Sequence, residues 1–466
     1  MENPGRSVRM EISTAEPMLS SRANTAIFLI LCILPIFGTI LFGAVDNTTW
    51  ILITILWAAI ILLWIAESWK AGGILLSIQS LQVPLLCFLL VGLVQLLPLG
   101  GPGDIEGLLS VPASSAISLD PFATRFFVSK LAVYVVFFAA CLTFVNSEDR
   151  LKKVVVTVII FGSIIAFFGI LLRLANPDGI YGLRETPQAV PFGPFVNQHH
   201  FAALMQMTSG LTLGLLFGDG IKRDKKILLV IGFVLMSVAA ILTSSRGGLL
   251  GLVSVVALVV LFNVVSGRWP RIRRSTFSNA NLGRNVAAAA AGAGLILVIL
   301  GVVLFVGGGE SLMRGIGATQ PGADFSSGRT HFWPIALRIF LENPVIGVGF
   351  DAFGVAYTRH DTWTGLFRVE QAHNEYLQVL AEGGILGFVC LGAFIYLLFR
   401  KSLQTIADGV GIAREASIGA LAGCFGILIH SFFDFPLRTP SNGFFFLLLC
   451  SIAVFPNSSV KKVNVP

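Results

Sequence analysis

Residues 25–45 read TAIFLILCILPIFGTILFGAV, an apolar run without a charged side chain. A run of about 20 such residues matches the thickness of the hydrocarbon layer of a membrane. Within that layer the backbone finds no water, so a spanning segment satisfies its own hydrogen bonds as a helix. Residues 25–45 are therefore predicted to form a transmembrane helix.

Similar runs recur along the chain of 466 residues, of which 55% are hydrophobic and only 12% are charged. That composition leaves too few polar side chains to cover a water-soluble particle of this size. The sequence predicts an all-α membrane protein with about twelve transmembrane helices. The predicted spans are residues 25–45, 50–66, 81–98, 126–145, 154–172, 201–217, 227–242, 249–265, 286–306, 376–399, 416–433 and 443–455.

The distribution of lysine and arginine predicts the orientation of the chain. With the amino terminus in the cytoplasm, 21 of the 32 basic residues fall in cytoplasmic segments, in agreement with the positive-inside rule. Residues 1–24 and 457–466 are then cytoplasmic tails, and residues 25–456 form the membrane domain. This rule accounts for the net charge of +7, so no nucleic-acid partner is predicted.

The other eleven basic residues, on the outer face or within spans, are all arginine except Lys130. Arginine grips phosphate or carboxylate with two donors at once, whereas lysine is a hydrated point charge. The same topology puts none of the six histidines in a cytoplasmic loop. The sequence therefore predicts a site for an anion at the outer face, with coincidence as the alternative.

A long outer loop, residues 307–375, separates the ninth and tenth predicted spans. Within it, residues 329–342 have the apolar period of an amphipathic helix, which Asn343 and Pro344 then end. Taken alone, this pattern favours a helix that lies in the membrane interface, anchored by Trp333 and Arg338. The loop is predicted to be partly helical.

Two arginines at predicted outer helix starts are candidate anion-binding residues. Arg246 lies within SSRGG, residues 244–248, in a short outer connection. A charge in that position is costly without a partner or ligand, although a snorkelling side chain explains it equally well. Arg329 opens the amphipathic helix, where backbone N–H groups and an adjacent guanidinium favour an anion.

His373 precedes the tenth predicted span and is the candidate general base. An imidazole can accept a proton at neutral pH, and Glu375 or Asn374 would orient it. Asn197 and His200 at the start of the sixth span, and His430 with Asp434 four residues later, are secondary candidates. Each has a structural alternative, as a helix cap or as a buried polar clip.

Other chemistries find little support in the sequence. It contains no glycine-rich phosphate loop, no zinc-ligand spacing on a helix and no Asp-x-Asp pair for a divalent ion. We therefore predict no metal and no soluble cofactor.

Several segments together resemble the O-antigen ligase and polysaccharide polymerase superfamily of bacterial membrane proteins. The similarity covers residues 197–440 and rests on order and spacing. The segments are PFVNQHHFA (194–202), SSRGG (244–248), GRTHFW (328–333), ENPVIGVGFDAFG (342–354), AHNEYLQVLAEGGILG (372–387) and HSFFDFPLRTP (430–440). His199 departs from the pattern, since relatives commonly carry a second asparagine there, so no donor-binding role is predicted for it.

The resemblance implies a metal-independent transferase of the bacterial inner membrane, with the loop 307–375 in the periplasm. Such an enzyme moves a glycan from undecaprenyl diphosphate to an acceptor hydroxyl at the periplasmic face. The resemblance assigns diphosphate binding to Arg246 and Arg329, and activation of the acceptor hydroxyl to His373. The acceptor is a saccharide or the core of lipid A, and the tail of the donor lies among membrane lipids.

Three other functions stay open at this point. The motif spacing does not separate a ligase from a polymerase of repeat units, although its downstream form favours a ligase. A transporter or lipid flippase would need polar groups near the bilayer midplane. Lys130, Glu382 and Asp434 are the only clear ionisable candidates within or near the spans, and all can lie close to an interface. A structural scaffold is the third alternative.

Overall fold

The computed structural model describes residues 12–14, 21–100, 115–175, 179–187, 189–218, 221–265, 279–316, 326–363, 369–456 and 460–463. The chain is mainly helical in these ranges. The helices are α1 (Arg22–Ile40), α2 (Asn47–Ala71), α3 (Gln82–Gln95), α4 (Pro121–Phe144), α5 (Glu148–Ala175), α6 (Gln198–Leu216), α7 (Arg223–Leu242), α8 (Arg246–Val265), α9 (Asn279–Phe305), α10 (Gly309–Gly315), α11 (Arg329–Glu342), α12 (Phe353–Thr358), α13 (Glu375–Asp408), α14 (Gly411–His430) and α15 (Pro440–Ala453).

Each of the twelve predicted spans coincides with one of these helices. Within the described residues, eight helices are long and apolar enough to cross a membrane, and nine if α9 and the sharply bent α10 form one span. The shorter α3 and α15 are apolar as well. The chain is thus a multi-pass helical membrane protein, and twelve crossings stay a prediction.

Helix α6 lies at the centre of the bundle, and nearly all of its side chains are buried. It packs closely on α14 because both helices carry glycines four residues apart. A Cβ atom on Gly210 would lie 2.6 Å from the carbonyl oxygen of Gly419, and one on Gly214 would lie 2.6 Å from the Cα atom of Gly419. Small residues at such positions let membrane helices approach closely. This contact joins the two helices whose outer ends carry His199 and His430.

Short strands accompany the helices. Strands β1 (Ile12–Thr14), β2 (Ile74–Ser77) and β5 (Val460–Val463) form an antiparallel sheet in the order β1-β5-β2, and β3 (Gly179–Ile180) pairs with β4 (Arg184–Glu185). The first sheet joins residues 12–14 and 460–463 to the α2–α3 connection. These two segments therefore lie on one side of the bundle.

In the part that the structure describes, the loop between α9 and α13 contains three helices. Helix α11 has the predicted bounds of the amphipathic helix and ends before Asn343. Its apolar side chains Phe332 and Ile335 are buried in a small core with Phe353 and Tyr357 of α12. This face of α11 therefore packs on protein, and the position of the helix in the membrane interface stays a prediction.

Candidate active site

A cavity of about 900 Å³ lies where the ends of α6, α8, α11, α13 and α14 meet. We call it the arginine cavity. It brings together five of the nine candidate residues, from four separate segments of the sequence. These are Arg246, Arg329, His373, His430 and Asp434.

The SSRGG segment forms a tight turn between α7 and α8. Ser244 adopts a left-handed conformation with φ of 56°. The hydroxyl of Ser245 accepts a hydrogen bond from the N–H of Gly248 at 3.0 Å and so caps α8. A Cβ atom on Gly247 would lie 2.5 Å from the His430 ring. The turn therefore needs a glycine there, and it presents Arg246 as the first residue of α8.

Arg329 is held at the cavity wall by backbone carbonyls. Its Nε and Nη2 donate to the carbonyl oxygen of Phe433 at 3.0 and 2.6 Å, and Nη1 donates to that of Ser326 at 3.0 Å. Gly328, with φ of 84°, lets the chain turn directly into α11. The guanidinium is thus held in a fixed orientation by the residue that precedes Asp434.

Three helices begin at this cavity, since Gln198, Arg246 and Arg329 are the first residues of α6, α8 and α11 and line it. The N-terminal end of a helix carries a partial positive charge and N–H groups that lack helical partners. Three such ends together with the arginines favour a bound anion of phosphate type.

His373 also has a left-handed backbone, with φ of 50°. Its Nδ1 lies 3.3 Å from Oδ1 of Asp434, whose side chain is only 2% exposed. Burial alone would raise the pKa of Asp434, but the hydrogen bond with His373 and the neighbouring histidines outweigh that effect and hold it well below its usual range. The carboxylate is therefore ionised at neutral pH and orients the imidazole.

The predicted orienting partners of His373 were wrong. Asn374 accepts hydrogen bonds from the N–H groups of Tyr376 and Leu377, both at 3.1 Å, and so caps α13. Glu375 is in contact with Arg438 instead, at 3.3 Å. Consecutive side chains at a helix start point in different directions, so sequence neighbours of His373 did not reveal its spatial partner.

His430 lies at the base of the cavity. Its Nδ1 is 3.3 Å from Nε2 of Gln206, and its Nε2 is 3.5 Å from the hydroxyl of Ser245. Asp434 contacts His373. The predicted pair of His430 and Asp434 thus shares the cavity, but each side chain contacts a different residue.

Asn197 and His200 are outside the set of residues that line the cavity. Asn197 caps α6 by accepting the N–H of His199 at 2.8 Å. His200 is buried, with Nδ1 bonded to the hydroxyl of Thr439, and its carbonyl accepts from Asn442 at 2.9 Å. Their positions indicate structural roles that hold α6 against the α14–α15 connection.

Sequence reasoning did not select several residues that line the cavity. They include Gln198, Glu310, Arg314 and Trp333, and also His199, for which no donor-binding role was predicted. Glu310 and Arg314 form an ion pair on α10. Helix α10 follows a bend of 120° after α9, which folds it back over the cavity. In the sequence, Arg314 was indicated only by the excess of arginine over lysine among the outer basic residues.

Two comparisons with known proteins found matches to this chain. Residues 231–392 match the family model described as O-antigen ligase. The chain is also similar to the exopolysaccharide production protein ExoQ of Rhizobium meliloti, with 22% identity over 225 residues. That match covers 47% of each chain, so it spans about half the length of this curated relative. The family match includes Arg246, Arg329 and His373.

Proposed function

We propose that this chain, which belongs to the O-antigen ligase superfamily of polysaccharide biosynthesis, transfers a glycan from undecaprenyl diphosphate to an acceptor hydroxyl. The observation that carries the proposal is that Arg246, Arg329 and the His373–Asp434 pair line one cavity. The reaction takes place at the periplasmic face of the bacterial inner membrane, with both termini in the cytoplasm. The acceptor is the core of lipid A or another saccharide.

The arginines act on the leaving group. When the bond between the anomeric carbon and the diphosphate oxygen breaks, the electron pair stays on the diphosphate, whose charge grows. Arg246 and Arg329, with the N-terminal ends of α6, α8 and α11 behind them, stabilise that charge. Fixed donors aimed at developing charge often contribute more to catalysis than any other effect. The proposed step therefore uses no metal and no soluble cofactor.

His373 acts on the acceptor. Asp434 accepts a hydrogen bond from Nδ1–H, so the lone pair of Nε2 is available for a proton. The acceptor hydroxyl gives its proton to Nε2 as its oxygen bonds to the anomeric carbon. The imidazolium then loses this proton to water or to the released diphosphate. A positioned base of this kind contributes about 10²–10⁴ in rate.

The membrane supplies the alignment of the two substrates. The hydrocarbon tail of the donor lies between the helices, and its diphosphate reaches the arginine cavity at their outer ends. Holding the reacting groups in this geometry replaces a collision with an intramolecular step. The family as a whole supports a lipid-linked glycan as partner.

The test is complementation of a gene deletion with wild type, His373→Ala, Arg246→Ala or Arg329→Ala at matched membrane levels. The lipid-linked and transferred glycan pools are measured together. We expect transfer to fall at least about a hundredfold in the His373 variant, while long glycan accumulates on its carrier.

His360→Ala and Arg338→Ala are matched controls. Both residues lie in the same outer loop, outside the set that lines the arginine cavity, and each contacts Glu342 at 3.1 Å. We expect wild-type transfer from both. Normal glycan pools in the His373, Arg246 and Arg329 variants would overturn the transferase proposal and favour transport.

A polymerase of repeat units is the second candidate. The word "exopolysaccharide" in the name of the R. meliloti relative favours it, because chain growth is part of making such a polymer. In a polymerase, both substrates stay lipid-linked and the same residues act. Accumulation of single repeat units in the His373→Ala strain would identify a polymerase.

A further inference from the structure

A second cavity, of about 200 Å³, lies between α3, α4, α13 and α15. We call it the apolar cavity. Its walls are mainly hydrocarbon, and Leu86 and Leu90 of α3 and Val389 of α13 are exposed beside it. The wall residues include Leu85, Phe88, Leu131, Leu391 and Phe394. It therefore lies just inside the lipid-facing surface.

The two cavities share a wall. In the segment 373–375, His373 lines the arginine cavity and Glu375 lines the apolar cavity. In the connection 434–438, Asp434 lines the arginine cavity and Arg438 lines the apolar cavity. A molecule in the apolar cavity would thus lie next to the proposed transfer site, on the opposite side of the segments that form it.

Two polar atoms in this cavity have no hydrogen-bond partner among the described residues. Glu375 uses Oε1 to accept from Arg438, but its Oε2 is buried and unpaired in that part of the chain. Nζ of Lys130 lies 4.2 Å from the centre of the Phe126 ring. Among the residues that the structure describes, no carboxylate oxygen lies within 4.0 Å of Nζ. A buried oxygen without a partner, such as Oε2 of Glu375, calls for a ligand that supplies a donor. Nζ of Lys130 is less buried and contacts only rings, those of Phe126 and Trp50, among the described residues.

The position of Lys130 in α4 adds weight to its lack of a nearby carboxylate among the described residues. It lies nine residues after Pro121, the first residue of α4, and therefore roughly 14 Å along the helix. The predicted fourth span begins at residue 126, so Lys130 lies about 6 Å inside it. Charged residues within a span are rare, and they usually mark a functional site.

Charge distinguishes the two cavities. In the apolar cavity, Lys130 and Arg438 face Asp351 and Glu375, and Arg438 also contacts the buried Glu382. Among the described residues that line the arginine cavity, three arginines face two carboxylates, those of Glu310 and Asp434. A phosphate in the apolar cavity would add an uncompensated charge beside two carboxylates, which is costly in a desolvated site. Hydroxyls both donate and accept, so a head with several hydroxyls would donate to Glu375 and accept from Lys130.

We propose that the apolar cavity binds a membrane amphiphile with a hydrocarbon chain and an uncharged, hydroxyl-bearing head, such as a glycolipid. The chain lies along α3 and α13, and the head hydroxyls meet Glu375 and Lys130. A cavity of this volume is smaller than most ligand sites, so it holds only the part where chain and head join. Binding does not depend on the transfer reaction, so it can be measured without turnover.

Cys390 lines the apolar cavity and reports its occupancy. The wild-type protein in phosphatidylcholine nanodiscs is treated with a membrane-permeant maleimide, and the labelling rate of each cysteine is followed by peptide-resolved mass spectrometry. Decyl glucoside and decyl phosphate are the two probes. Cys32, half-buried on α1, is the internal control.

We expect decyl glucoside at ten times its dissociation constant to slow the labelling of Cys390 about tenfold, since only the free protein reacts. Decyl phosphate should protect much less, and Cys32 should react equally in all samples. Lys130→Met should lose most of the protection. The proposal is overturned if decyl glucoside gives no protection, if decyl phosphate protects equally, or if Lys130→Met behaves as wild type.

Discussion

Replacing Arg438 with methionine removes a buried guanidinium that contacts three carboxylates. Its distances are 2.6 Å to Glu382, 3.1 Å to Asp351 and 3.3 Å to Glu375. Only 10% of the Arg438 side chain is exposed, and Glu382 is fully buried. Burial alone would lower the pKa of Arg438, but the three carboxylates outweigh that effect and raise it. The cluster joins α13, the 349–351 turn and the connection to α15.

The expected loss of stability follows from the charges that remain. Without Arg438, the carboxylate of Glu382 stays in the protein interior with no cation beside it. Removing one partner of a buried ion pair costs about 3–5 kcal/mol. Asp351 is 31% exposed, so solvent screens its share and most of the cost comes from Glu382. We expect the free energy of unfolding to fall by about 3–5 kcal/mol.

The assay is an SDS titration in mixed micelles, followed by circular dichroism, on wild type, Arg438→Met and the control Arg338→Met. Arg338 forms an exposed ion pair with Glu342 at 3.1 Å, so its loss should cost at most about 0.5 kcal/mol. Adding Glu382→Gln to Arg438→Met should recover about 1 kcal/mol or more, because contacting charges are coupled. Equal costs for Arg438→Met and Arg338→Met would show that the buried ion pairs stabilise the fold no more than an exposed pair does.

Four further outcomes can be measured. Gly210→Ala should lower the free energy of unfolding by about 1–3 kcal/mol, because its Cβ would press on the backbone of α14, whereas Gly392→Ala, which faces open space, should be neutral in the same titration. Asp434→Asn should reduce the transfer rate about 10²–10⁴-fold in a membrane assay without loss of folded protein, and a rate near wild type would remove His373 from the proposed role. The lowered pKa of Asp434 gives stability that is fully present above the usual aspartate range and is lost as the pH falls from that range toward the lowered pKa; between about pH 8 and pH 5 the unfolding midpoint should therefore not shift because of this group. EDTA should leave the transfer rate unchanged, and a loss restored by Mg²⁺ would contradict the proposed use of arginines.

The spans and the amphipathic helix could be predicted because hydropathy reports burial directly. Helix α6 marks the limit of that signal. It carries buried Gln206, Thr208, Ser209 and Thr212, and it is not among the described helices that are long and apolar enough to cross a membrane. Protein surrounds this helix, and Gln206 finds a partner there, because its Nε2 donates to the carbonyl oxygen of Gly248 at 2.7 Å. Thr208 and Thr212 instead donate to carbonyl oxygens of α6 itself. The twelve spans were predicted from apolar runs alone. Such runs do not distinguish a central helix that protein surrounds from a spanning helix with one side toward lipid.

Pairings across the sequence could not be predicted. Asp434 lies 61 residues after His373, and Arg438 lies 63 residues after Glu375. Their contacts depend on how the start of α13 packs against the α14–α15 connection, which no local pattern encodes. The resemblance selected Arg246, Arg329 and His373 individually, and the structure shows that all three line one cavity. It also includes His199 among the lining residues, although its departure from the family pattern counted against it.

The backbone at His373 explains why the residues around it are polar and buried. A left-handed conformation in a residue other than glycine costs of order 1–3 kcal/mol and persists only where neighbouring contacts impose it. Here the N–H of Ala372 donates to Gln378 Oε1 at 2.5 Å, and Gln378 Nε2 donates to Glu382 at 2.7 Å. On the other side, Asn374 caps α13. Both neighbours of His373 are thus bonded into α13, and Arg438 fixes Glu382 at the end of that chain of contacts. The ion-pair cluster behind the cavity therefore holds the strained residue that directs the imidazole toward Asp434.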